Sequence, residues 1–153
     1  MLDRFGRNID YMRLSITGRC TLRCGYCMPE SCAGPEDALP YGDFLRIAAA
    51  AVELGITRFK VTGGEPLVRP GCTGFIARLK ALPGVEQVTL TTNGVLLPPH
   101  LSHLAQVGID GINVSLDAAD REAYAVVTGF DVLPQVLEAL DGLLAAEIKT
   151  KLN

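Results

Sequence analysis

Three cysteines fall close together in "RCTLRCGYCMPE": Cys20, Cys24 and Cys27, spaced C-x3-C-x2-C. Thiolates are the ligands that soft and borderline metals select. Structural zinc takes four protein ligands, with its cysteines in close pairs. The spacing here and the missing fourth ligand fit that poorly. His100 and His103 lie far along the chain, on a predicted helix, and read as surface residues. An iron–sulfur cluster fits better: a [4Fe–4S] cube has four irons, so three cysteines leave one open to a substrate or second cofactor. A zinc- or cluster-binding module without activity, and a metal-free fragment, remain as alternatives. Cys32 and Cys72 complete a count of five cysteines and take no role in this pattern.

The bulk numbers set the frame. The chain has 153 residues, which is one ordinary domain, and 48% of them are apolar, enough for a packed core. Fourteen basic against 17 acidic residues give a net charge of −3, which offers no broad nucleic-acid surface but leaves room for a small anionic ligand. No apolar run is long enough to span a bilayer, and "MLDRFGRNID" is no signal peptide. The expectation is a cytoplasmic protein, where clustered cysteines are metal or redox groups more often than disulfides.

The elements that must carry the thiols alternate regularly. Strands are predicted at residues 11–16, 56–61, 85–91 and 109–116, with the start of a fifth in "IKTKLN". Between them, "DFLRIAAAAVELG" sets Phe44, Ile47 and Val52 on one helical face with Gly55 as its stop. "GFIARLKALPG" spaces Phe75, Leu79 and Leu82, and "PHLSHLAQVG" ends at Gly108. Two further helices are predicted near residues 119–127 and 132–146. Such alternation with short connections means βαβ units, a parallel sheet and an α/β fold. Periodicity fits an open doubly wound sheet and part of a barrel equally. Because "KTKLN" stops within a predicted strand, the expectation is a truncated chain or one that needs a partner.

The polar residues cluster where the strands end. The cysteine loop follows the first strand, "KVTGGEPLVR" the second, "TTNG" the third and "NVSLD" the fourth. In parallel βα architectures the C-terminal strand ends form the ligand-binding edge. Gly63 and Gly64 allow close backbone approach. Glu65 is expected to brace its loop and Pro66 to stiffen it. Arg13 lies inside an apolar strand, where a charge is costly unless paired.

With Tyr26 just before the last cysteine, C-x3-C-x2-C resembles the radical S-adenosylmethionine (SAM) superfamily. "DRFGRNIDYMRLSITGRC", "TGGEPLVRPG", "LTTNGVLL" and "INVSLD" narrow the resemblance to the GTP 3′,8-cyclase family of molybdenum-cofactor biosynthesis. The resemblance implies the first part of an incomplete (βα)6 TIM-like barrel of radical SAM type, over residues 1–153. It implies that Cys20, Cys24 and Cys27 hold a [4Fe–4S] cluster and that Tyr26, Gly64 and Ser115 contact SAM. It implies GTP contacts from Arg13, Lys60, Thr91 and Lys151, and a lyase reaction in which the radical formed from SAM acts on GTP. No residue is assigned as catalytic in its own right.

The implied partners are GTP, a reductant protein as electron donor, and either a homodimer or a missing C-terminal half; no nucleic acid or membrane is implied. The family usually carries Arg where this chain has Lys60, and Asp and Asn where it has Gly18 and Thr21; the latter two changes are expected to matter less. Full-length members also carry later barrel strands and a second cysteine triad. A different radical SAM enzyme, such as one that modifies a peptide, shares the core motifs.

Overall fold

In a computed structural model, residue 2 and residues 4–27 and 39–153 are described; Cys32 lies outside them. Five strands form the sheet: β1 (Tyr11–Ser15), β2 (Arg58–Thr62), β3 (Gln87–Thr92), β4 (Gly111–Val114) and β5 (Thr150–Leu152). The helices are α1 (Tyr41–Glu53), α2 (Cys72–Lys80), α3 (Leu101–Val107), α4 (Arg121–Thr128) and α5 (Leu133–Ala145). Every neighbouring pair of strands is parallel, and the order is β1-β2-β3-β4-β5.

That order separates the two architectures that periodicity left open. A doubly wound sheet reverses direction at a switch point, whereas a barrel adds each strand beside the last. No reversal occurs here, so the sheet is the wall of a partial barrel.

The two faces of the sheet differ in chemistry. Leu14, Phe59, Val61, Val88, Leu90, Ile112 and Val114 point one way and are buried. They pack with Phe44, Ala48, Phe75, Leu79, Leu104, Val136 and Leu143 from the helices in a single core. A buried phenylalanine such as Phe59 or Phe75 contributes about 1.5–3 kcal/mol by transfer alone. The other face carries Arg13, Lys60, Thr89, Thr91, Asn113 and Lys151, all half-buried or exposed. Arg13 is therefore not a charge sealed in a core. It stands on the open face, where water screens it.

The α1 stripe differs from expectation in one residue. Phe44, Ala48 and Ala51 are buried, while Ile47 is 42% exposed. The i, i+4, i+7 set turned to the sheet is the small-residue one, which lets the helix lie close. Gly55 does terminate the helix, with φ +88°.

At the N-terminal ends of the strands, ion pairs close the structure. Arg58 meets Asp10 at 2.8 Å, and Lys80 meets Asp110 at 2.6 Å. Asp110 also accepts the backbone N–H of Val88 at 2.7 Å. The opposite end is left for the loops.

Candidate functional site

The cysteine loop leaves β1 and is held from two sides by backbone. On one side, Gly64 N donates to Thr17 O and Glu65 N to Arg19 O, both at 2.8 Å. A Cβ on Gly64 would lie 2.4 Å from Arg19 O, and one on Gly63 2.6 Å from Thr17 O. The two glycines are thus required by contact with this chain's own backbone, and the loops after β1 and β2 form one unit. On the other side, Arg23 N donates to Thr128 O at 2.9 Å and Gly25 N to Val127 O at 3.2 Å. The last turn of α4 leaves these carbonyls free, and the cysteine loop takes them up. Nothing in the sequence pattern singled out α4 as a support for the thiols.

Glu65 is the brace expected of it. Its side chain is fully buried. Its Oε1 accepts from Leu67 N at 3.0 Å and from the Thr92 hydroxyl at 2.9 Å, and its Oε2 accepts from Asn93 N at 2.7 Å. Burial pushes its carboxyl above the usual carboxylate range, against these three donors. The loops after β2 and β3 therefore share one buried group.

Asn93 extends the connection. Its side-chain nitrogen lies 2.9 Å from Thr21 Oγ1 and 3.7 Å from Cys20 Sγ. Asn93 did not stand out in the sequence, where "TTNG" reads first as a turn, and Thr21 stood out only as a departure from the family expected to matter less.

The three thiols are unequal. Cys27 is exposed, Cys20 intermediate and Cys24 buried. Burial, then the charge of Cys27, push the Cys24 thiol up to about 11. The Tyr26 hydroxyl donates to Asp117, 3.1 Å from Oδ1 and 3.2 Å from Oδ2, across 91 residues. Burial of its hydroxyl end and this bond raise the phenol's pKa. Asp117, at the close of "NVSLD", thus ties the cysteine loop to the end of β4. The loop gathers the thiols into one electrostatic neighbourhood. Among the described residues, though, no three His, Cys, Asp or Glu side chains are drawn into a closed ligand set.

The residues expected at an anionic ligand come together by strand register. Arg13 pairs with Lys60, and Thr91 pairs with Asn113, which pairs with Lys151. Burial, Arg13 and Lys151, in that order, lower the Lys60 pKa. Arg13 and Lys60 are thus neighbours on the open face, and Lys151 stands on the same face on β5, close enough for its charge to reach Lys60. Ser115 follows β4, its N–H donating to Thr92 O at 2.9 Å. His100 and His103 stay apart from the site, and His103 meets Thr73 Oγ1 at 3.0 Å. Cys72 opens α2 and is buried, which, with the charge of Glu65, pushes its thiol up to about 12. Among the described residues no single helix is long and apolar enough to cross a membrane.

Among proteins of known structure, this fold is shared by SuiB of Streptococcus suis bound to the precursor peptide SuiA, with TM-score 0.79 at 20% identity over 94% of this chain and 32% of that one. A structure of native anSMEcpe with bound AdoMet matches with TM-score 0.75 at 17% identity, over 93% of this chain and 42% of that one. Sequence relatives are nearer. A GTP 3′,8-cyclase of Geobacter sulfurreducens is 46% identical over 96% of this chain and 45% of its own length. One of Heliobacterium modesticaldum is 44% identical over 100% of this chain and 48% of its own. The chain spans about half the length of the curated relatives it matches. The profile of the Radical SAM superfamily runs through the sheet and every loop at its C-terminal edge, residues 14–153, and the chain belongs to that superfamily.

Proposed function

We propose that this chain is the cluster- and SAM-binding part of a GTP 3′,8-cyclase acting in molybdenum-cofactor biosynthesis. The observation that carries the reading is the convergence of Arg13, Lys60 and Lys151 on the open sheet face, beneath the loop that holds Cys20, Cys24 and Cys27. A triphosphate is the kind of ligand that repays three cations on one face.

The residues present fit a cluster by their donor chemistry. Cys20 Sγ already receives an N–H from Leu22 at 3.4 Å and one from Asn93 at 3.7 Å, donors of the kind that orient and tune a thiolate ligand. Cys20, Cys24 and Cys27 would be the ligands. When bound, a [4Fe–4S] cluster with SAM supplies a 5′-deoxyadenosyl radical that takes a hydrogen atom from the substrate. The protein's part is position and shielding. Tyr26, the Gly64 backbone and Ser115 would line the SAM end, and Arg13, Lys60, Thr91 and Lys151 the GTP end. Lys60, in place of the family's Arg, keeps the charge and gives up the bidentate fork.

Residues 1–153 would then be the N-terminal portion of the radical SAM core. Further barrel strands, and the second cluster domain that meets the GTP base, would be needed for turnover. The electron would come from a reductant protein in the cytoplasm. Pairing into a homodimer is the alternative to a separate C-terminal half.

Anaerobic reconstitution with iron and sulfide tests this. The expected result is one [4Fe–4S] cluster per chain, a change in its EPR spectrum on adding SAM, thermal protection by GTP, and no cyclised product from this chain alone. Zinc bound without sulfide would overturn the enzymatic reading. Protection by a peptide in place of GTP would move the chain to a peptide-modifying relative.

A further inference from the structure

Asn93 follows β3 with its side chain turned into the cysteine loop, and it is 8% exposed. Its position is fixed at three points. The backbone N–H donates to Glu65 Oε2 at 2.7 Å, and Oδ1 accepts from Val95 N at 3.1 Å. The second of these settles which end of the carboxamide is the NH2 group. That group faces Thr21 Oγ1 at 2.9 Å and Cys20 Sγ at 3.7 Å. A planar amide has two N–H bonds, and here one meets a hydroxyl and the other a sulfur. Nothing in the assigned motif accounts for either partner.

We infer that Asn93 is a positioning residue for Cys20, oriented by Thr21, that sets the electron affinity of the iron this thiolate would bind. The inference rests on the cluster reading above. An N–H pointed at a ligating sulfur draws charge from it. It favours the more negative, reduced form of the cluster and so raises the potential. Glu65 makes the arrangement stiff: its buried carboxylate anchors the Asn93 backbone, so the amide cannot drift from the sulfur as a surface side chain would. The simplest structural account is that Asn93 only closes the turn through Val95. Serine at this position could still accept from Val95 N, as serine does in such turns, but it is too short to reach Cys20.

The test is an EPR-monitored redox titration of the anaerobically reconstituted chain, with iron and sulfide counted and folding checked by circular dichroism. Wild type, Asn93→Ser, Asn93→Ala, Thr21→Val and Thr21→Ser would be compared. Asn93→Ser and Asn93→Ala are expected to move the midpoint potential to more negative values while the chain stays folded. Thr21→Val, which touches neither the turn nor the sulfur, is expected to give a smaller shift in the same direction. Thr21→Ser keeps the hydroxyl and is expected to match wild type. If wild type assembles a cluster and the Asn93 variants keep its potential, or if Asn93→Ser alone does, the inference fails and the turn is all that Asn93 serves. If wild type assembles no cluster, the proposed function fails and takes this inference with it.

Discussion

Glu65 Oε2 accepts the backbone N–H of Asn93 at 2.7 Å, so one buried carboxylate joins the loop after β2 to the loop after β3. Replacing Glu65 by Gln turns an NH2 group or a weaker acceptor toward donors that have no other partner. Glu65→Gln is expected to cost roughly 1–3 kcal/mol in a denaturant melt. The pH dependence has a definite sign. Burial raises the folded-state pKa above the usual carboxyl value of 4.5, so the folded chain holds this proton more tightly than the unfolded one. The contribution is complete below 4.5 and is lost as pH rises through the folded value. Wild type should lose stability relative to Glu65→Gln as pH climbs from that point. A parallel pair of curves would show that Glu65 keeps its solution pKa.

Gly64→Ala places a methyl group 2.4 Å from Arg19 O and 2.8 Å from Gly18 O, where only backbone could give way. The expected cost is about 1–3 kcal/mol, with reduced iron uptake because the cysteine loop is displaced. Gly25→Ala, in the same loop, meets nothing within 4 Å and should stay within about 0.5 kcal/mol of wild type. Equal effects from the two would contradict the packing described.

The Tyr124 hydroxyl is buried with no hydrogen-bond partner among the described residues. Burial, then the charges of Asp117, Cys24 and Cys20, push the phenol up to about 12. Tyr124→Phe removes an unsatisfied polar atom and keeps the ring. It should raise stability by about 1 kcal/mol, read as a higher denaturation midpoint. A loss of that size would reveal a partner for the hydroxyl.

Thiol labelling should follow exposure. In the metal-free chain at neutral pH, Cys27 is expected to alkylate fastest of the described cysteines. Cys24, raised to about 11, should lag well behind, and Cys72, raised to about 12, should stay unmodified until the chain unfolds. Peptide mass spectrometry reads the order directly. Rapid labelling of Cys72 in the folded state would contradict its place in the core.

Lys60 is held beside Arg13 and Lys151, and its pKa falls below the usual 10.5. Folding therefore loses stability as pH drops through the lowered value, because the unfolded lysine takes its proton more readily. Lys60→Met should leave the ligand-free chain as stable as wild type or more so at neutral pH. If GTP is the ligand, as proposed, Lys60→Met should also weaken its binding by about tenfold, the loss of one charge-assisted contact. Thermal shift with and without GTP separates the two effects. Unchanged GTP protection would remove Lys60 from the site.

Much of this was legible in the residues themselves. The thiol spacing, the glycine pair and the alternation of strand and helix are local signals, set by ligand chemistry, backbone freedom and side-chain period. They placed all five strands and every loop that bears on the site. They did not place Ile47, because helical period gives a stripe without saying which edge of it a sheet will cover. Nor did they find the roles of Asn93, Thr21, Asp117 or the end of α4. Each of these acts only through a partner distant in sequence, such as Asp117 with Tyr26 across 91 residues. Strand order and register decided the rest. Sequential parallel pairing made the sheet a barrel wall, set Arg13 beside Lys60 and turned Lys151 to the same face. Sequence alone fixed which groups could do chemistry. Only the tertiary structure decided which of them meet, because a contact between strands depends on how the whole sheet is ordered, and no local pattern carries that information.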